Sequence, residues 1–576
     1  ITFLMLFIVG TWLLICGISI PIGMISWSVL AKIFRTEESY HSIGIHHTVV
    51  LGLMFISFLA QIASIFIRLN IEFFSFLLLL ASILLLFYWY KWKITFKTGI
   101  AKIKALPWWI VSIWLCFGFM ALLHASGMSD IEDEGEYYMP FIQWMVQYPL
   151  IPGLANIEDR IGFNSSFHVL SAVFHFPFLL KGGTNDLNAL IGVLFSFYCL
   201  KGFSRLWKRD HTYFLADFLK PFALILPFRS YFTASAADYS IIFLGLWFFF
   251  LFLEKTEDQT LGKCDYRSLL LFSLFMFLTT TKFISLFFGF FLVPILFPLI
   301  QANPRRLISI ALFGIIYFTP WLYRNYILSG YLVYPIYIID LFDPNWKVPI
   351  SVAAGQYNYV SEHATYGYSR EINCYEITPI IFSEWFPMWL ENIPTRLHSI
   401  LVVFGLATTL LILPFRLILY ITGNSKIDSS LLLALLLPIP FLLIWFFRYP
   451  DVRFGWAWIF FFVNLHLLTL FQFLIRKNLR PILILVLVIL IASSVRNLIF
   501  PYHIFSSNVQ YTTLPRLLPI KTSTQLTLFL LNRTPIHVSN NNSCWSTPQP
   551  CFPKDFHKRI QMRGGHLTDG FKIPKE

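Results

Sequence analysis

Long apolar runs fill most of the chain, and short polar segments separate them. A membrane-spanning helix needs about 20 mostly apolar residues, so each run of about this length predicts one span. The runs that reach or approach it are 2–30, 47–68, 71–90, 106–124, 187–207, 214–230, 238–253, 268–281, 283–300, 307–326, 397–415, 430–447, 454–475 and 481–499. The pattern predicts about 13–14 transmembrane helices, and it leaves open whether 268–281 and 283–300 are divided correctly.

The composition agrees with this pattern. Of the 576 residues, 57% are hydrophobic and 13% are charged, whereas soluble globular domains contain about 45–50% apolar and about 25% charged residues. This excludes soluble enzyme folds, coiled coils and intrinsic disorder, and predicts an all-α polytopic membrane protein. The net charge of +13 does not indicate nucleic-acid binding, because no basic polar segment is interleaved with aromatic residues.

Basic and acidic residues concentrate in different loops. The basic clusters are Lys91, Lys93, Lys97, Lys102 and Lys104; Lys201, Arg205, Lys208 and Arg209; Arg305 and Arg306; Arg416 and Lys426; and Arg476, Lys477 and Arg480. If the predicted helices alternate sides, all these clusters lie on one face, which the positive-inside rule makes cytoplasmic. The acidic segment 125–162 then lies on the outer face.

Three long stretches fall on that outer face: 125–186, 327–396 and the tail from 500 onwards. Within the first, 137–148 and 163–180 do not fit the alternation as spans. Their Tyr, Trp and Phe side chains favour the membrane interface. We therefore expect both segments to form helices that lie along the membrane surface.

The tail contains the string CWSTPQPC, which places Cys544 and Cys551 around two prolines. In an oxidising compartment this spacing predicts a disulfide that closes a short loop. A zinc site is less favoured, because it would need two further ligands and the nearby histidines have no recognisable spacing.

An acidic cluster, SDIEDEGEYYMPFIQW, follows the predicted helix 106–124. Its carboxylates are Asp130, Glu132, Asp133, Glu134 and Glu136. Crowded carboxylates raise one another's pKa, so the cluster must be solvated, meet cations or perform acid–base work. A solvated acidic loop is the simpler alternative, but ionisable groups next to the bilayer are commonly functional.

Cations also occur at the predicted outer helix ends. Arg324 and Asn325 lie in PWLYRNYILSGYLVYP, and Arg448 and Arg453 lie in FFRYPDVRFGWAW. The planar fork of arginine suits a phosphate, although Arg324 could instead snorkel to the interface and Arg448, Asp451 and Arg453 could pair with one another. Further ionisable groups at these ends are Lys282, Arg229 and Asp238.

These motifs together resemble the GT-C superfamily, the multipass glycosyltransferases that use polyprenyl-phosphate-linked sugars. DEGEYY from 133 to 138 resembles the catalytic acid of the first outer loop, and the PW-x-x-RN pattern with SG-x-x-x-YP recurs in bacterial members. The resemblance covers 106–576. It implies a GT-C-type catalytic domain over 106–499, additional N-terminal helices over 1–105 and a small periplasmic tail over 500–576.

The resemblance also implies roles for individual residues. A carboxylate acts as general base on the acceptor, and we expect Asp133 in this role, then Glu134 and Asp130. The expected ligands of the donor phosphate are Arg324, Arg453, Lys282 and Arg448. The expected substrate contacts are Tyr137, Tyr138, Asn325 and Arg160. Asp130 and Glu132 resemble the D-x-E pattern that holds Mg or Mn in some members, whereas others work without metal.

The expected function is transfer of a sugar from a polyprenyl phosphate to a glycan, lipid or protein acceptor. It would take place at the outer face of a bacterial cytoplasmic membrane. An O-antigen ligase or polymerase is an alternative, and it would depend more on 327–396 than on Asp133. A lipid flippase or transporter and a structural subunit of a membrane complex are non-enzymatic alternatives. Transport is disfavoured because the predicted spans carry almost no charge at their centres and show no repeated halves.

Overall fold

The computed structural model describes residues 2–36, 43–127, 129, 131–180, 183–225, 232, 234–366, 381–392, 397–422, 429–506, 526–554 and 560–574. These residues are mostly α-helical. The helices are α1 Thr2–Phe34, α2 Ile45–Phe66, α3 Ile71–Phe87, α4 Trp89–Lys104, α5 Trp108–Ala125, α6 Met139–Gln147, α7 Ser166–Val173, α8 Leu187–Trp207, α9 Phe214–Leu219, α10 Ala237–Glu257, α11 Tyr266–Thr281, α12 Gly289–Ala302, α13 Arg305–Ser329, α14 Ile350–Tyr366, α15 Phe382–Asn392, α16 Leu397–Ile421, α17 Ser429–Leu436, α18 Ile439–Arg448, α19 Val452–Lys477 and α20 Leu479–Ser506.

The protein is a multi-pass membrane protein. Within the described residues, 10 helices are long and apolar enough to cross a bilayer, or 11 if the bent pair α3 and α4 counts as one span. This is fewer than the predicted 13–14. The run 214–230 contains only the short helix α9 and a 3₁₀ turn over Lys220–Leu224 before the described residues stop at 225. The runs 268–281 and 283–300 are separate, because α11 ends at Thr281 and is only 16 residues long.

Helix α10 lies at the centre of the bundle, where it packs against α8, α11 and α19. Every side chain from 246 to 253 is fully buried, as expected for a helix that is apolar on all sides. The Phe249 ring stacks on Phe461 of α19 with a centroid distance of 4.4 Å.

The N-terminal helices pack directly onto this bundle. Helices α1 and α2 cross in close contact, and a Cβ on Gly52 would lie 1.9 Å from the Ser19 carbonyl oxygen. Small residues at such crossings allow two membrane helices to approach closely. Helix α2 also contacts α7 and α13, so residues 45–66 form part of the wall behind the first outer loop.

The bundle has two chemically different ends. At one end Lys208 donates to the Ala105 carbonyl oxygen at 2.8 Å, and Arg480 lies 4.9 Å from the centre of the Trp207 ring. Three of the predicted basic clusters therefore meet there, and we call this the basic end. Helices α8, α10 and α19 run from it to the opposite end, which carries Asp133 and Arg453 and which we call the acidic end.

The segments predicted to lie along the membrane surface are instead inside the protein. A π-helical turn over Glu134–Tyr138 continues into α6, and a 3₁₀ turn over Asp159–Phe163 precedes α7. All residues of α7 and nearly all residues of α6 are buried. Their aromatic side chains pack against protein because α2, α11 and the tail surround these helices.

The tail forms small β-sheets. Strands β1 Leu526–Leu531 and β2 Thr534–Ser539 are antiparallel with Leu526 opposite Ser539, and β3 Cys551–Phe552 lies parallel to β2. Strands β4 Gln561–Met562 and β5 Phe571–Lys572 form an antiparallel pair. The predicted disulfide between Cys544 and Cys551 is confirmed, with a Cα–Cα distance of 6.0 Å.

Candidate functional site

The acidic cluster begins on a widened helical turn. Asp133 precedes the π-helical turn Glu134–Tyr138, and the Met139 amide donates to the Glu134 carbonyl oxygen. Pro140 follows, and because it has no backbone N–H it cannot close a regular α-helical turn. Single π turns are frequent at functional sites, and this one directs successive carboxylates to different surroundings.

Asp133 is partly accessible, with 30% of its side chain exposed, and Glu136 in the turn is similar at 26%. Asp133 lies between two guanidinium groups that come from distant parts of the chain. Arg160 Nη1 is 3.4 Å from Asp133 Oδ1, and Arg453 Nη1 is 4.0 Å from Oδ2. A half-exposed carboxylate beside two cations can accept a proton or a hydrogen bond from a bound molecule.

Arg160 connects the carboxylates of the first outer loop. Its Nη1 is 2.6 Å from Glu136 and its Nε is 2.6 Å from the buried Glu158. Its guanidinium also lies 4.7 Å from the centre of the Tyr137 ring. Arg160 therefore fixes the geometry of the cluster, because one planar group is shared among Asp133, Glu136 and Glu158.

A second group of charges lies at the start of α19. Arg453 pairs with Asp451 at 3.0 Å, and Lys282 pairs with Asp238 of α10. The Phe454 ring holds both cations together, with Lys282 Nζ at 3.9 Å and Arg453 Cζ at 4.9 Å from its centre. Arg453 also faces Asp133. This group of charges and the segment from Asp133 to Tyr138, which we call the acidic turn, therefore form one continuous surface.

The floor of that surface is aromatic and neutral. The rings of Tyr137 and Tyr138 are 4.3 Å apart, and His168 of α7 lies 4.9 Å from Tyr138. Burial lowers the pKa of His168 to about 4, so the imidazole is neutral at physiological pH. The predicted substrate contacts Tyr137 and Tyr138 are thus beside Asp133, but Tyr138 is only 4% exposed.

Arg324, predicted to bind phosphate, is not part of this surface. Its side chain is fully buried. Nε donates to Asn164 Oδ1 at 3.0 Å, Nη1 donates to the Ser64 hydroxyl of α2, and Nη2 lies 3.4 Å from the Met145 sulfur. The neighbouring Asn325 is also buried, at 1% exposure. The turn that ends at Asn164 and helix α2 cover this end of α13. The side chains of Arg324 and Asn325 therefore cannot contact the phosphate or the substrate that the sequence predicted for them.

The other predicted site residues that the structure describes, Arg448 and Glu132, are exposed. Arg448 has an exposed side chain, and its backbone carbonyl accepts from Ser361 of α14 at 2.6 Å. Glu132 is exposed at the edge of the acidic turn. Asp130 and Arg229 lie outside the described residues. No group of three or more His, Cys, Asp and Glu side chains suited to a metal occurs within the described ranges, so the Mg or Mn site stays a prediction.

The sequence matches one protein family, described as "Domain of unknown function (DUF8201)", over residues 5–460. The chain belongs to this family. The DUF8201 match includes α1–α4 and the acidic end from Asp133 to Arg453, and it ends before the tail. No curated protein and no solved structure matches the sequence.

Sequence reasoning about this DUF8201 chain missed the role of the tail at the site. The Trp545 amide donates to the Gly135 carbonyl oxygen at 2.9 Å. A Cβ on Gly135 would lie 2.2 Å from the Trp545 indole, so only glycine permits this contact. The disulfide loop therefore rests directly on the turn that carries Asp133. A tryptophan inside a short disulfide loop is the only sequence signal that could have suggested it.

Glu134, the second candidate base, is enclosed. It is 2% exposed, and its carboxylate accepts from Asn185 Nδ2 at 2.9 Å and from the Ser235 amide at 2.8 Å. Burial raises the pKa of Glu134 to about 7, the Ser235 bonds oppose this, and the charge of Asp133 adds to it. Glu134 lies too deep to touch a bound molecule, so it supports the turn, whereas Asp133 and Glu136 are partly exposed.

We expect Glu134→Gln to stabilise the protein at pH 8 and to have little effect at pH 4.5. The raised pKa means that, between about 4.5 and 7, the unfolded chain ionises while the folded carboxyl stays protonated, so the parent loses stability as pH rises. Glutamine avoids this loss. If the Asn185 amide turns over, the glutamine Nε2 can donate to Asn185 Oδ1, which has no partner among the described residues, while the glutamine oxygen accepts from the Ser235 amide. Thermal unfolding of both proteins across this pH range checks the expectation. A parallel pH dependence in the two proteins would contradict it.

Proposed function

We propose that this protein is a membrane-embedded glycosyltransferase of GT-C type, which moves a sugar from a polyprenyl phosphate to an acceptor. In this proposal the acidic end faces the outside of a bacterial cytoplasmic membrane. The observation that carries it is the meeting of Asp133 with Arg453, at 4.0 Å, beside the Lys282–Asp238 pair. A base and two cations are the groups that such a transfer requires.

The proposed reaction assigns each group one task. Asp133 takes the proton of the acceptor hydroxyl, whose oxygen attacks the anomeric carbon from the side opposite the phosphate. The bond between that carbon and the phosphate oxygen breaks, and its electron pair leaves with the polyprenyl phosphate. Arg453 and Lys282 stabilise the resulting negative charge. Both now pair with carboxylates, so donor binding would share or exchange those partners.

Arg324 has no place in this proposal, because its guanidinium is enclosed by neutral groups. Its remaining role is to hold α13 against α2 and the turn at Asn164. The expected phosphate ligands that remain are Arg453 on α19, Lys282 at the end of α11 and the exposed Arg448 at the end of α18. Of these, Arg453 and Lys282 lie together at the Phe454 ring. The aromatic surface of Tyr137 supports a sugar-binding role, since aromatic rings stack on sugar faces.

The test is transfer by the purified full chain in membrane lipids. We expect Asp133→Asn to lower polyprenyl-phosphate release and acceptor labelling together, by about a hundredfold or more, which is the usual loss when a general base is removed. Asp210→Asn is the matched control, because Asp210 is an exposed carboxylate that follows α8 next to Lys208 and Arg209, at the basic end. Unchanged turnover of Asp133→Asn would remove Asp133 from the reaction. Absence of turnover in the parent with every donor tested would favour a flippase or a structural subunit.

One observation favours the ligase or polymerase alternative. His363 of α14 lies in the 327–396 region and is electrostatically coupled to Arg453, Asp451 and Asp133. Burial lowers the pKa of His363, and Arg453 acts in the same direction. His363→Gln should therefore reduce turnover more than Asp133→Asn does if the ligase alternative holds, and less if the proposed transfer holds.

A further inference from the structure

A small basic cavity lies at the basic end, away from the acidic turn. It has a volume of about 20 Å³ and lies between the start of α2, helix α4 and the second half of α8. His46, Lys102 and Lys201 line it, together with Phe197 and the glycines at 44 and 99. The proposed sugar transfer uses none of these residues.

His46 is the deepest polar group of this cavity. It is only 3% exposed, and neither ring nitrogen has a hydrogen-bond partner among the described residues. The centre of its ring lies 4.0 Å from that of His47, with the two planes tilted by 38°. A Cβ on Gly44 would lie 2.4 Å from the His46 ring. A buried polar group without a partner is costly, so the imidazole is suited to donate to a bound atom.

The two lysines place positive charge at the rim. Lys102 belongs to α4 and Lys201 to α8, and both lie near enough to His46 to act on it electrostatically. No carboxylate is among the lining residues. The cavity itself holds about one water-sized atom. One oxygen of a phosphate would fill it, while the other oxygens would remain at the rim beside the lysines.

Helix α4 indicates where such a phosphate comes from. It turns away from α3 by 91° and carries five lysines and no acidic residue. Trp89, Tyr90 and Phe96 are exposed along it. A helix with lysines, exposed aromatic side chains and a sharp turn away from a span is typical of a segment in the plane of the membrane interface. Its lysines would attract the anionic lipids of the adjacent leaflet.

We propose that this cavity binds the headgroup phosphate of an anionic phospholipid. His46 donates a hydrogen bond to one phosphate oxygen, and Lys102 and Lys201 pair with the others. Lys102 and Lys201 at the rim give the site its preference for lipids with a net negative charge over zwitterionic lipids, whose positive headgroup charge opposes them. The other lysines of α4 only attract anionic lipids to the adjacent leaflet. The site is independent of the proposed sugar transfer, because it lies at the opposite end of the bundle.

The test is native mass spectrometry of the full chain with equal amounts of phosphatidylglycerol and phosphatidylcholine. We expect preferential retention of one phosphatidylglycerol. Lys102→Gln with Lys201→Gln should reduce this retention about tenfold or more, since each lysine near an anionic membrane contributes substantially. Lys93→Gln with Lys97→Gln removes the same amount of charge without changing a residue that lines the cavity, and should reduce retention several-fold less.

Three results would overturn the proposal. They are equal retention of the two lipids by the parent, equal losses in the two double variants, and displacement of the lipid by millimolar inorganic phosphate, which would indicate a site for free phosphate. If Lys102→Gln with Lys201→Gln does not fold, retention of phosphatidylglycerol by the parent and by His46→Phe decides the question. That variant keeps an aromatic ring but removes the donor, so it should retain several-fold less of the lipid. Equal retention by the parent and His46→Phe would contradict the site.

Discussion

Replacing Arg160 by methionine should destabilise the protein by about 3–5 kcal/mol, which is the usual cost of leaving a buried charge without its partner. The guanidinium is shared by Glu136, Glu158 and Asp133. The side chain of Glu158 is only 7% exposed, so water cannot replace the lost contact. The same change should abolish the proposed sugar transfer, because Asp133 and Glu136 would repel each other without Arg160.

One comparison makes this expectation specific. Arg160→Lys keeps the charge but not the planar fork, so it should lie between the parent and Arg160→Met in thermal stability. Equal melting temperatures for the parent and Arg160→Met at pH 7.5 would show that the cluster does not depend on this residue.

Replacing Gly135 by alanine should separate the disulfide loop from the acidic turn. The added Cβ would lie 2.2 Å from a Trp545 ring carbon, and the indole is held by the adjacent disulfide and by its backbone bond to Gly135. Overpacking of this kind costs about 1–3 kcal/mol. We expect a lower melting temperature, faster proteolytic cleavage of the tail and reduced turnover, since the turn that carries Asp133 must shift.

A second substitution tests whether the clash is the cause. Trp545→Ala alone should be destabilising, because it removes a largely buried ring. Combined with Gly135→Ala, however, the total loss should be smaller than the sum of the two single losses. Gly314→Ala is the matched control, since a Cβ at that position has nothing within 4 Å. If the losses in stability of Gly135→Ala and Trp545→Ala simply add up in the double variant, the acidic turn and the tail are not in direct contact.

The sequence identified most of the charged residues at the site, but it did not predict which of them lie close together. Asp133 with Arg453, and Lys282 with Asp238, were singled out from their places at helix ends, and the structure brings these four together. Arg324 also lies near the end of a helix, but its side chain is fully buried. Whether an arginine at a helix end faces water or protein depends on what covers it, and here the cover comes from Ser64, Met145 and Asn164 in other parts of the chain.

The segment 125–186 shows the same limit. The alternation of sides excluded 137–148 and 163–180 as spans, and their aromatic residues predicted helices at the membrane interface. A helix at the interface and a helix buried in protein, however, have the same composition. The structure places α6 and α7 among α2, α11 and the tail. Trp545 and His363 could not be assigned from sequence, because their relevance comes only from proximity to residues hundreds of positions away.

By itself, the sequence determined that the chain crosses a membrane many times and that its two ends differ in charge. It also determined that the tail holds a disulfide. These properties can be predicted because each depends only on the composition and spacing of residues that are close together in the sequence. Only the tertiary structure decided which charged groups share a surface, because pairs such as Asp133 with Arg453 depend on how distant helices pack.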